Sequence, residues 1–228
     1  VVSNATLTKT WEGTPNSFTV NIHRDQNLQP QPGAVEISEA LPSMSFSRSQ
    51  SYPFRSSKRS ISSGSLQWYE LIGYTYSGQF LNSRTITKLV DGSQTNERQG
   101  ILHNLTFNAS PKVGYVTVTP FFNYTEKWYN KSIFRHLNDA DSVVTDDIKA
   151  IKAVRYFNLG VSASTKFYGV FQPGIFGISG IRHQVTPTIS YTYQPDFSKA
   201  RYGYYGNYTD TSGRAQQYSF YEREVFGG

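Results

Sequence analysis

Arg182-His183-Gln184-Val185-Thr186-Pro187-Thr188-Ile189-Ser190-Tyr191-Thr192-Tyr193-Gln194-Pro195 is the stretch on which the reading of this chain turns. The odd positions carry His183, Val185, Pro187, Ile189, Tyr191, Tyr193 and Pro195, mostly apolar or aromatic. Every even position, from Arg182 to Gln194, is polar. Successive side chains of a β-strand point to opposite faces, so this alternation predicts one long strand with an apolar side and a wet side. Soluble sheets use strands of about 5–6 residues, whereas a tilted strand crossing a bilayer needs about 9–11.

Working outward, Tyr115 to Trp128 repeats the pattern. Val116, Val118, Pro120, Phe122, Tyr124 and Trp128 share one face, and Thr117, Thr119, Asn123, Thr125 and Lys127 the other. Shorter copies follow. Leu7 and Trp11 alternate with Thr6, Thr8 and Thr10, and Phe18, Val20 and Ile22 with Thr19, Asn21 and His23. Ile72 to Phe80, Ile101 to Asn108 and Phe157 to Ser164 behave likewise. A strand from about Ala34 to Ser47 is expected to break at a bulge near Leu41-Pro42, because proline donates no ladder hydrogen bond. Gln217 to Val225 reads as a ninth strand. A helical period competes only weakly, near Asp146 to Val154.

The turns carry a separate signal. Glu12 to Pro15 and Ser110 to Val113 are tight, whereas Leu81 to Gln99, Asn130 to Asp147 and Asp196 to Gln216 read as long polar loops. With nine strands, the long loops follow even-numbered strands and the tight turns odd-numbered ones. Short periplasmic turns and long external loops are the pattern of an outer-membrane barrel. Trp11, Trp68 and Trp128 read as strand ends, where aromatic girdles mark the interfaces. Glu70 and Glu126 each stand two residues from a tryptophan, at interface depth.

Composition agrees. Aromatic residues reach 15% and charged residues only 17%, against about 25% charged in ordinary globular domains. Mean hydropathy is −0.49, and no run approaches the ~18 apolar residues of a membrane helix. A barrel strand shows only half its residues to lipid, so it can be polar on average. The absence of cysteine excludes disulfides, thiolate metal sites and cysteine nucleophiles. The net charge of +6 is scattered, with one tight cluster at Phe54 to Arg59, and nucleic acid is not an expected partner. The histidines His23, His103, His136 and His183 have no metal-ligand spacing. No nucleophile elbow, phosphate loop or dinucleotide fingerprint occurs, so no cofactor and no enzyme activity are expected. Asp139-Ala140-Asp141 and Asp146-Asp147 read as a solvated acidic loop rather than a divalent-cation site. Several Asn-x-Ser/Thr triplets fall inside strands and are not read as glycosylation sites.

Several stretches resemble a known family. Leu41-Pro42-Ser43-Met44-Ser45-Phe46, Tyr52-Pro53-Phe54-Arg55, Trp68-Tyr69-Glu70 and Ile72-Gly73-Tyr74-Thr75-Tyr76-Ser77-Gly78 are similar to the barrel of LptD-type lipopolysaccharide (LPS) assembly proteins. So are Pro120 to Tyr129 and Ser164-Thr165-Lys166-Phe167-Tyr168-Gly169. The most specific match is Gly180 to Pro187, continuing through Ser190 to Phe197, which resembles the family's late barrel region. The resemblance runs from about Ser3 to Phe226. Family members carry a periplasmic jellyroll, and in some branches cysteines near it. Neither is in this sequence, so residues 1–228 are expected to be part of one antiparallel transmembrane β-barrel domain in the Gram-negative outer membrane, with about 8–9 meander strands.

The resemblance implies a transport role. LPS arrives from periplasmic bridge proteins, its lipid tails pass into the outer-membrane lipid, and its sugar chain travels through the lumen. A partner lipoprotein is implied as the plug. Such a lumen needs an inner wall rich in hydroxyls and amides, which Thr117, Thr119, Asn123, Thr125, Thr186, Thr188, Ser190, Thr192 and Gln194 would supply. The competing readings are a porin or receptor-type transporter barrel, and a soluble extracellular glycan-binding β-sandwich.

Overall fold

The computed structural model describes residues 1–55, 66–138, 142–172 and 180–227. Among the described residues it holds thirteen strands and two 3₁₀ turns. In chain order the strands are β1 (Val2–Thr10), β2 (Asn16–Gln26), β3 (Val35–Ser51), β4 (Gly73–Leu89), β5 (Gly92–Asn108), β6 (Lys112–Val113) and β7 (Val116–Leu137). There follow β8 (Val143–Thr165), β9 (Phe167–Phe171), β10 (Ile181–Val185), β11 (Thr188–Tyr193), β12 (Tyr205–Thr209) and β13 (Ala215–Ser219).

The main sheet has nine strands in the order β1-β2-β3-β4-β5-β7-β8-β11, with β6 added against β7. Among the described residues all pairings are antiparallel and follow chain order, β6 standing between β5 and β7 and the β9–β10 ribbon between β8 and β11, an up-and-down meander that does not close on itself. Among the described residues the sheet has no Greek-key crossing of the kind that marks a sandwich. The turn at Gly13 lies at one end, called lower here, together with residues 109–115. The β4–β5 turn at Val90-Asp91 lies at the upper end, as do the facing ends of β7 and β8 at Leu137 and Val143. This is the expected alternation of ends.

Four details differ from the sequence reading. Leu81 to Gln99 is not a loop, and neither are the described stretches Asn130 to Leu137 and Val143 to Asp147. They prolong two hairpins, so that β7 and β8 reach 22 and 23 residues, and the weakly helical Asp146 to Val154 is strand. Polar and apolar residues mix on both faces of these extensions, so the period-two contrast fades while the backbone stays paired. Arg182 to Pro195 is split at Thr186-Pro187. β10 pairs β9 in a small ribbon, and β11 pairs β8 in the main sheet, because proline lacks the donor that would continue the ladder. Gln217 to Val225 is not a ninth sheet strand. Its start belongs to the β12–β13 ribbon and the rest turns back over the sheet. Trp68 lies in a 3₁₀ turn, Trp68–Leu71, ahead of β4, and the Glu70 carboxylate accepts from Gln67 N at 2.8 Å. The break expected at Leu41-Pro42 is present as a register slip between Ala40 and Ser43. Of the charged motifs, Asp139 to Asp141 and Ser56 to Arg59 lie outside the described residues.

The two faces are sharply different. Leu7, Ile22, Phe107, Leu159, Val161, Ile189 and Tyr191 all stand exposed on the apolar face, Leu7 at 73% and Ile189 at 76%. An apolar surface of this extent is a contact surface, not a water-facing one. Aromatic rings run across it in two rows. Trp11, Phe46, Tyr76, His103 and Trp128 follow one another at centroid separations of 6.4, 5.9, 6.1 and 5.0 Å. Tyr74, Phe107, Phe122 and Phe157 do so at 6.2, 6.5 and 6.2 Å.

Candidate functional site

The opposite face is a polar wall. Cross-strand register places Thr10, Ser17, Ser47, Ser77, Asn104 and Thr125 in one row over six strands. Facing side chains in such rows lie close enough to bond. Thr125 Oγ1 donates to Asn104 Oδ1 at 2.9 Å, and the Ser17 and Ser47 hydroxyls meet at 2.7 Å. In the next row Thr106 Oγ1 donates to Asn123 Oδ1 at 2.9 Å, and Asn123 Nδ2 donates to Asn158 Oδ1 at 2.8 Å. Lower down, Ser162 stands between Thr119 and Ser190, and Ser164 between Thr117 and Thr188.

Seven of the nine expected lining residues therefore share this face: Thr117, Thr119, Asn123, Thr125, Thr188, Ser190 and Thr192. Thr186 falls in the break before β11, but borders a hollow with Thr117 and Ser164. Gln194 lies exposed beyond the end of β11. Thr192 faces Gly160, where a Cβ would come within 2.4 Å of the Tyr191 carbonyl and 2.6 Å of the Phe121 ring. Phe121 lies over that glycine, and no larger residue fits beneath it.

The upper part of the wall is different. β5 and β7 pair from Asn108 opposite Phe121 up to Gly100 opposite Tyr129, and no further. Above this level the β4–β5 and β7–β8 hairpins part. A strap formed by Ser219 to Gly227 sits at the fork. Ile133 N donates to Phe220 O at 2.8 Å, and the Tyr221 ring stacks on Tyr129 at 5.3 Å. Tyr129, Val154 and Tyr221 form the buried core here, flanked by Phe220, Val225 and Phe226. Gly100 gives the strap its seat, since a Cβ there would lie 2.8 Å from Val225 Cγ2.

Charge fastens the strap. Arg98 is 7% exposed and donates through one amino group to Glu224 at 2.5 Å and through the other to Asp147 at 2.9 and 3.0 Å. Arg135 donates to Glu222, and Lys127 Nζ to the carbonyls of Phe226 and Gly227 at 3.0 and 3.1 Å. Lys131 Nζ reaches across the fork to Glu97 O at 2.7 Å.

On the apolar face Glu126 is answered on every side. It accepts from Tyr124 Oη at 2.8 Å, Trp128 Nε1 at 3.0 Å and Arg155 Nε at 3.1 Å. A paired, hydrogen-bonded carboxylate next to tryptophan suits an interface. His103 shares its Nδ1 with Tyr76 Oη at 2.8 Å on the same face, and His136 lies 3.6 Å from Asp146 at the upper end.

A family model described as LptD protein matches residues 1–228, the whole chain. The chain belongs to the LptD family. Membership links it to LPS transport at the outer membrane. No curated protein and no solved structure matches it.

For an LptD chain the sheet supplies two opposed surfaces, both written into the strand periodicity. What sequence reasoning missed is the fastening of the fork. Arg98, Asp147 and the residues from Tyr218 to Gly227 sat in segments read as loops or as a further strand. The one sequence signal was the density of Tyr and Phe from Phe197 to Phe226, more than a solvated loop needs.

Proposed function

We propose that this LptD chain forms part of the wall along which LPS passes from the periplasmic side to the outer leaflet. The sugar chain moves along the polar face while the apolar face contacts lipid. The observation that carries this reading is the two-sidedness of a single sheet, bare aromatic and aliphatic surface on one side and hydrogen-bonded hydroxyls and amides on the other. Within hydrocarbon every backbone polar group must be paired, which continuous ladders between neighbouring strands achieve. Thr117, Thr119, Asn123, Thr125, Thr186, Thr188, Ser190, Thr192 and Gln194 line the passage, and their weak, exchangeable hydrogen bonds suit movement rather than capture. The role is transport rather than catalysis. A partner lipoprotein on the polar side and periplasmic bridge proteins below complete the route.

The test is site-specific photocrosslinking in cells making the full-length protein. A photoreactive residue at Thr125 or Thr119 is expected to give adducts carrying LPS sugar, and one at Val161 or Leu159 adducts with lipid only. Sugar adducts equally frequent from both faces, or absent from both, would overturn the assignment.

A further inference from the structure

Between the parted hairpins the polar face holds a hollow of about 380 Å³, within the range of about 300–1,000 Å³ usual for small-ligand sites. Its walls come from three places. Thr85 faces Asn96 and Thr87 faces Gln94 across β4 and β5. Thr145 and Asp147 stand on β8, and Arg223 is brought by the strap. Arg98 lies at the junction, with a buried Nε that has no hydrogen-bond partner. The guanidinium of Arg223 makes no hydrogen bond or ion pair among the described residues, so it is free to bind.

Resting on the transport reading, we propose that this hollow is a subsite for one neutral sugar residue of the passing chain, recognised through adjacent hydroxyls. Amides, hydroxyls, a guanidinium and a carboxylate both donate and accept, which is what a pair of neighbouring sugar hydroxyls requires. Arg98 is already shared between Asp147 and Glu224, and Lys131 stands 3.9 Å from Asp147, so Arg223 is the cation left for a ligand. An added phosphate or carboxylate would meet the Asp147 carboxylate in the wall, which a neutral sugar hydroxyl can instead use as an acceptor. The site is composite, since the sheet provides the amides and threonines and the strap provides Arg223.

The experiment uses the full-length protein in detergent, titrated with neutral trisaccharides of glucose, galactose and mannose and with glucose 6-phosphate, read by ligand-observed saturation-transfer NMR. At least one neutral trisaccharide is expected to bind, more tightly than the phosphorylated sugar and with little dependence on salt. Arg223→Ala and Asn96→Ala should each weaken it about fivefold, the effect of losing roughly one hydrogen bond. Gln184→Ala, on the separate β9–β10 ribbon, should leave it unchanged. Stronger binding of glucose 6-phosphate, an equal loss with Gln184→Ala, or no binding of any neutral sugar would overturn the proposal. Sugar adducts at Thr125 in the crosslinking experiment would still be obtained if the subsite alone were wrong, and would be missing if the transport reading were wrong.

Discussion

The lower and upper halves of the sheet are held together by different means. Below Gly100 and Tyr129 the strands β1 to β8 are joined edge to edge by backbone ladders. Above that level β5 and β7 separate, and side chains together with the strap span the opening. The change comes where the apolar band ends, next to Glu126 and Trp128. In hydrocarbon an unpaired peptide group costs several kcal/mol, so parting strands there would be prohibitive. In water the same groups are solvated, and the two hairpins can separate at small cost. Where the ladder stops is a marker of depth.

The sharpest way to break this distinction is Arg98→Ala. It leaves Glu224 buried beside Asp147 without its cation, a loss of about 3–5 kcal/mol in a buried pair. Hydrogen exchange of the purified full-length protein should quicken across Ser219 to Phe226, while amides of the lower β5–β7 ladder stay protected. Equal quickening in both halves would mean that they form one cooperative unit.

A comparison across the sheet ranks next. Leu159→Arg puts a charge on the bare face near the middle of the apolar band, at about 2–4 kcal/mol. Ser162→Arg puts the same side chain on the polar face. Folding yield into lipid vesicles should fall for the first and stay near normal for the second; similar yields would assign the faces wrongly.

A smaller effect is expected from Asn123→Ala, which removes the amide linking Thr106 and Asn158. The cost should be about 0.5–1.5 kcal/mol, read as a lower urea midpoint with an unchanged slope. A loss as large as that of Arg98→Ala would show that the polar rows, and not only the latch, carry stability.

The smallest concerns the β12–β13 turn. Asp210 accepts from the Ser212 hydroxyl and, at 2.9 Å, from the backbone N–H groups of Ser212 and Arg214. The Ser212 hydroxyl, the Arg214 N–H and Gln216 hold its carboxyl down at about 2. A carboxylate with a depressed pKa supports the fold fully above its ordinary pKa near about 3.9 and loses that support as pH falls toward the depressed value. Protection factors in the ribbon, corrected for the intrinsic pH dependence of amide exchange, should therefore be flat from neutral pH to about 4 and fall only below it. Asp210→Asn should abolish that fall.

How much of this was legible follows from where solvent contrast exists. Val116 to Trp128 alternate because one face meets an apolar phase and the other does not, so the residues record the strand directly. From Ser83 to Gln99 both faces carry polar residues, Arg84 and Glu97 on one and Thr85 and Arg98 on the other, and the same backbone pattern leaves little trace in side-chain type. The Arg98–Glu224 pair joins residues 126 apart in sequence, which no local period encodes. For the candidate wall, Thr117 to Thr125 could be placed by alternation alone. The hollow could not, because its free cation arrives on a strap whose path depends on stacked tyrosines.

The hydrogen bonds along Thr106, Asn123 and Asn158 also bear on friction. Each amide or hydroxyl in such a row already has a neighbour to bond, so a sliding molecule finds few unsatisfied groups to grip. Exchanging one weak partner for another changes the free energy by less than about 1 kcal/mol, little more than thermal energy. On the proposed route each stop along the row would therefore be brief, and the surface would act as a lubricated track on which speed is set by the width of the path rather than by the stickiness of its walls.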